Sequence, residues 1–220
     1  MSINKIFGIG LPKTGTTSLG SALKILGFRL VPPWTRTNNQ TFKELMNGQY
    51  RLTIMDQYDA MEDMPAPTFY REFDEVFPNS KFILTIRDKD PWIDSCKRQY
   101  EKRPHKMKHE PANLPKKEEG YYKMKMEEYL DFCTWGLTYF HRERFFRTYE
   151  THLQNVKNHF SERPQDLLIL NLTAGEGWEK LCPFLEKPTK KQPFPHSNKW
   201  EDRMFKHRGH RLTYQTKSNL

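Results

Sequence analysis

The sequence predicts an α/β fold, a central parallel sheet flanked by helices, and three observations lead there. A short apolar run ending in glycine, Lys5 to Gly10 (KIFGIG), passes straight into a glycine-spaced loop and then a helical pattern. Two more runs rich in branched residues, Lys81 to Arg87 (KFILTIR) and Asp166 to Leu172 (DLLILNL), read as buried strands. Helical segments separate the three, and strands joined through helices lie parallel.

The elements follow in order. Thr17 to Leu26 carries Leu19, Ala22, Leu23 and Leu26 at helical spacing, with Gly27 as its stop. Phe28 to Pro33 (FRLVPP) predicts a second short strand, and Thr41 to Asn47 a helix closed by Gly48. Tyr58 to Pro65 (YDAMEDMP) predicts a strand running into a loop. Phe69 to Phe77 predicts a helix ended by Pro78 and Asn79. Behind KFILTIR, Asp90 as N-cap and Pro91 as first helical residue predict a helix start. The basic stretch from Arg103 to Glu119 lacks periodicity and reads as a loop or lid. Tyr121 to Phe160 predicts a long helical region broken once near Tyr149, and GWEKLCPFL a short helix. The tail from Lys187 is basic and Pro-rich, without an element. No internal repeat is present, and residues 1–220 read as a single domain.

Bulk properties narrow the function. A chain of 220 residues holds one sizeable core. Fifteen Phe, ten Tyr and five Trp argue against disorder. No run approaches the roughly 20 apolar residues of a membrane span, and the N-terminus reads as a strand rather than a signal peptide. Cys96, Cys133 and Cys182 are an odd number without a CxxC, which favours reduced thiols in a cytoplasm over disulfides or a zinc site. The net charge of +9 is concentrated between Lys97 and Lys125 and from Lys187 to Lys217, and favours an anionic ligand.

The loop makes the ligand more specific. Gly10 and Gly15 have P-loop spacing, but Thr16 stands where a nucleotide hydrolase places its terminal Lys. Lys13, inside the loop, is the only nearby cation. Backbone amides at the following helix start suit an anion, and Thr16 and Thr17 add hydroxyls. A triphosphate with its magnesium fits this pattern poorly.

The string LPKTGTTSL, with Pro12, Lys13, Thr14, Gly15, Thr16 and Thr17 at its centre, resembles the 5′-phosphosulfate loop of sulfotransferases that use 3′-phosphoadenosine 5′-phosphosulfate (PAPS). The resemblance implies the P-loop nucleoside-triphosphate-hydrolase-like sulfotransferase fold. It also implies that these residues bind the donor, that Lys13 neutralises the leaving phosphate, and that no metal is required. The family's 3′-phosphate site is an Arg at a strand end and a Ser eight residues on, which match Arg87 and Ser95. Independently, a guanidinium at the ligand edge of a sheet suits a phosphate. In EDMP, Asp63 occupies the place of the family's catalytic His. A short branch that includes the drug-activating sulfotransferase of schistosomes carries T-D-L-P and LTIRDK there. Asp63 acts as a base if burial or the neighbouring Glu62 and Asp59 raise its pKa.

The expected reaction moves a sulfuryl group from PAPS to a hydroxyl or amine of a small-molecule acceptor, with 3′,5′-diphosphoadenosine (PAP) as product. The acidic run Asp56, Asp59, Glu62, Asp63 suits a cationic or hydroxylated natural product; a carbohydrate stays open. Trp34 could line the acceptor pocket. His196, Lys199, Arg203 and Arg208 could close over the nucleotide, the alternative being a solvated tail. No nucleic-acid or membrane partner is expected, and a homodimer stays open. The competing readings are a P-loop small-molecule or nucleotide kinase and a non-catalytic binder of polyanions.

Overall fold

The computed structural model describes residues 4–33, 39–102 and 118–196. Trp34, Lys199, Arg203, Arg208 and most of the expected 103–119 lid lie outside the described residues.

Strands β1 (Ile6–Gly8), β2 (Ala60–Glu62), β3 (Lys81–Thr85) and β4 (Leu167–Leu170) form one sheet in the order β2-β1-β3-β4. Every pair is parallel, with Ile6 opposite Ala60 and Lys81, and Phe82 opposite Leu167. The chain leaves β1 for one neighbour, β2, and later returns to the other side as β3. That reversal creates a switch point at the carboxyl ends of β1 and β3, where ligands bind in open α/β sheets.

Helices cover both faces. Ile6, Ala60, Ile83 and Leu170 pack with Leu19 and Leu23 of α1 (Thr16–Ile25) and Leu181 of α7 (Trp178–Phe184). Alternate strand residues face the other way. Phe7, Met61, Phe82 and Leu84 meet α2 (Asn39–Met46), α3 (Tyr70–Val76), α5 (Glu118–Trp135) and α6 (Arg142–His159). Phe7 centres this aromatic layer, its ring 5.1 Å from Phe73 and 5.4 Å from Phe82. A smaller cluster at the carboxyl edge joins Leu11 to Trp92 and Cys96 of α4 (Lys89–Glu101), Trp135, Phe145 and Tyr149.

Three expected features differ. The strand over Phe28–Pro33 reduces to one bridge, Leu30 with Ala60. Val31 N–H still reaches Ala60 O at 2.9 Å, but Pro32 and Pro33 have no amide to continue the ladder. Helix α4 starts at Lys89 with Asp88 as N-cap, which places Pro91 inside the first turn, where a missing N–H costs no intrahelical bond. The long helical region breaks between Trp135 and Arg142, well before Tyr149. Gly136 takes φ 70, Arg144 Nε donates to Trp135 O at 2.5 Å, and the His141 ring accepts from Arg144 N–H. These contacts end α5 and start α6.

Candidate active site at the carboxyl edge of the sheet

The segment between β1 and α1 is held at nearly every residue. His152 of α6 bonds Ile9 O through Nε2 at 2.8 Å. Burial depresses the pKa of this ring, so the neutral tautomer with its proton on Nε2 donates to the carbonyl. Trp92 Nε1 donates to Pro12 O at 2.9 Å. Thr14, fully buried, bonds Leu11 O at 2.7 Å and Thr85 Oγ1 at 2.6 Å. At Gly10 a Cβ would sit 1.9 Å from Thr85 Oγ1, so the approach of the loop to β3 requires glycine. Lys13 takes φ 76 and Gly15 φ 108, which bends the backbone around the start of α1.

Arg87 leaves β3 directly beside this turn. Its NH1 donates to Lys13 O at 3.3 Å. Tyr149 OH donates to Arg87 O at 2.6 Å and accepts from Arg87 N–H at 3.0 Å, fixing the backbone from which the guanidinium departs. Arg87 Nε is buried and has no hydrogen-bond partner among the described residues. Among the described residues no ion pair joins Arg87 to Asp88 or Asp90; Asp88 stands at the N-cap position of α4 and Asp90 faces Arg142 at 3.5 Å. Ser95 lies half-buried in the second turn of α4.

Asp63 follows β2 at the same edge, with φ 65. Its Oδ1 accepts from Met64 N–H at 3.0 Å. Burial raises its pKa, opposed by that backbone bond, the Lys13 charge and a hydrogen bond with Thr16. Lys13 and Arg87 both act electrostatically on Cys96, whose thiol burial nonetheless pushes up to about 12. Lys13 thus acts on both Asp63 and Cys96, and Arg87 acts with it on Cys96. A cavity of about 80 Å³ opens here, lined in part by Pro12, Asp63, Cys96, Tyr100, Asp131 and Trp135.

Two members of the acidic run, Asp56 and Asp59, are not there. Asp59 precedes β2 and forms a fork with Arg29, at 2.7 and 3.1 Å, and Asp56 pairs with Arg51 at 3.0 Å. Trp92, Tyr149 and His152 were missed as members of the site. Their only signal in the sequence is a polar ring atom within an amphipathic helix, a pattern shared by ordinary core residues. Asp131 was missed as well; it is buried and accepts from Tyr100 OH at 2.7 Å.

Residues 5–203 match the family described as the sulfotransferase domain, and the chain belongs to that family. It is similar to Ava biosynthesis cluster protein M of Aspergillus versicolor, at 24% identity over 96% of this chain and 85% of that protein. Lys13, Asp63, Arg87 and Ser95 all lie within the matched span. No described helix is long and apolar enough to cross a membrane.

Proposed function

We propose that the chain uses PAPS to sulfate a hydroxyl or amine of a small molecule held in the cavity beside Asp63. The observation that carries the reading is the contact of Arg87 NH1 with Lys13 O at the switch point, with Asp63 following the neighbouring strand β2 at the same edge. The donor's chemistry suits the residues present: Arg87 Nε is a buried donor with no partner among the described residues, and an anion at the strand edge would satisfy it. Arg87 and Ser95 would hold the 3′-phosphate, and the loop from Pro12 to Thr17 the 5′ end. Thr14 serves as a brace, since its hydroxyl is already bonded to Leu11 and Thr85.

Bound PAPS supplies the sulfuryl group, whose sulfur leaves the bridging oxygen as it bonds to the acceptor. Asp63 accepts the acceptor's proton, a role suited to a carboxyl whose pKa is raised. Lys13 neutralises the oxygen that retains the bonding electron pair on the PAP product. The loop's braces keep Lys13 in place before the substrates arrive, so little reorganisation remains for the reaction itself. In a kinase of this scaffold a Lys would occupy position 16; here Thr16 is buried against Asp63 and Glu62.

The test is turnover of PAPS with a phenolic or amine acceptor. Lys13→Ala should reduce kcat by about 10²–10³-fold, the worth of a charge-stabilising group at the leaving oxygen. Arg87→Ala should chiefly raise KM for PAPS. Unchanged kinetics in both variants would overturn the assignment.

A further inference from the structure

The cavity beside Asp63 has walls of two kinds. Helix α5 supplies the first: Glu127 and Asp131, four residues apart on one helix face, line the space together with Asp63. Three aromatic rings supply the second. Trp135 stacks on Phe145 with centroids 4.2 Å apart, and Tyr100 meets Phe145 at a right angle, 5.2 Å away. The two walls are joined, because the Tyr100 hydroxyl donates to Asp131 Oδ1 at 2.7 Å. Asp131 itself is only 4% exposed.

None of the described lining residues is Lys, Arg or His. The chain carries a net charge of +9, so this space runs against the charge of the protein around it. Lys13 acts on Asp63 and Cys96 from the donor loop. On the α5 side the described walls are carboxyls and rings.

An organic ammonium satisfies both. Its N–H groups bond to carboxylates, and the faces of Trp and Tyr rings attract a cation through their quadrupoles. A charge taken out of water is costly unless it is matched in this way, and an anionic group here would meet like charge. A protonated nitrogen has no lone pair with which to attack sulfur. The group that receives the sulfuryl must then be a hydroxyl elsewhere on the same molecule.

We infer that the acceptor is a hydroxylated amine in its ammonium form. Asp131 and Glu127 hold the nitrogen against the aromatic wall, and the hydroxyl meets Asp63. The inference rests on the reading of this cavity as the acceptor site of a sulfuryl transfer. In that step the hydroxyl oxygen bonds to sulfur as the bond from sulfur to the bridging oxygen breaks. Asp63 takes the hydroxyl's proton, and the ammonium keeps its own throughout.

Three phenols of similar size test it on the purified full chain: tyramine, 4-propylphenol and 3-(4-hydroxyphenyl)propanoate. They end in an ammonium, a methyl and a carboxylate. Initial rates with PAPS should give tyramine a kcat/KM about 10–100-fold above that of 4-propylphenol, as expected of a charge-assisted hydrogen bond, with the carboxylate poorest. Glu127→Gln and Asp131→Asn should each shrink that ratio by about three- to tenfold, mainly through KM for tyramine. Titration calorimetry with no donor present reads the same preference as binding and needs no turnover.

Equal kcat/KM and equal affinity for tyramine and 4-propylphenol, or a preference that survives both substitutions, would overturn the inference and leave the PAPS reading standing. Tyramine that neither binds nor turns over would overturn it too. Preferential binding of tyramine without sulfation of any of the three would instead defeat the PAPS reading and support the ammonium site. Should Asp131→Asn not fold, because that carboxyl is buried, the half-buried Glu127 decides through Glu127→Gln alone.

Discussion

Asp59 and Asp63 flank the same three-residue strand, one before β2 and one after it, and their surroundings drive them in opposite directions. Asp59 is held by Arg29, whose side chain and backbone N–H all donate to it, and its pKa falls to about 2. Asp63 is turned inward beyond the strand's carboxyl end, where burial outweighs the Lys13 charge and its pKa rises. The two residues belong to one acidic run, yet one is held ionised and the other is pushed toward its neutral form. Position along the strand, rather than local charge density, separates a surface ion pair from a candidate base.

The largest expected effect comes from removing the inward carboxyl. Asp63→Asn should reduce kcat by about 10²–10⁴-fold, as measured by initial rates with PAPS. Its melting midpoint should be unchanged or higher at neutral pH, since the raised pKa of Asp63 means that its ionisation opposes folding.

Tyr149→Phe sharpens the comparison from the side of Arg87. It removes both hydrogen bonds to the Arg87 backbone while keeping the ring, which lies 4.4 Å from Trp92. Denaturant melts should show a loss of about 1–3 kcal/mol. KM for PAPS should rise severalfold as the guanidinium loses its fixed root.

The smallest effect belongs to the other end of the strand. Asp59→Asn should leave turnover intact and move the melting midpoint by no more than about 2 °C at pH 7, because the pair with Arg29 is solvent-exposed. The folded pKa of Asp59 lies below its ordinary 3.8, so its contribution is present above that value and disappears as pH falls through about 2. An acid titration of the two proteins checks the sign. A large loss of activity in Asp59→Asn would erase the distinction between the two ends.

The central strands and the glycine-spaced loop were legible in the sequence because their signals are local. KIFGIG, KFILTIR and DLLILNL fall on β1, β3 and β4, and the glycine-spaced loop lies between β1 and α1. Lys13 and Arg87, distant in sequence, could be paired in advance because a parallel sheet brings all its carboxyl ends to one edge. The braces were not legible. Nothing near Tyr149 shows that its hydroxyl will grip Arg87, since that contact depends on how α6 lies across the sheet. The same tertiary dependence placed the expected helix break too late: Gly136 and His141 carry the signal, but Arg144 completes it from the far side. The acidic run misled for a related reason, as only the sheet decides which carboxylates share an edge.

The central claim is that this edge is built for an adenine nucleotide carrying a 3′-phosphate, and titration calorimetry with PAP tests it most directly. The account predicts that wild-type protein binds PAP far more tightly than adenosine 5′-monophosphate, and that Arg87→Ala loses most of that preference. Indifference to PAP, together with binding of ATP–Mg²⁺, would contradict it.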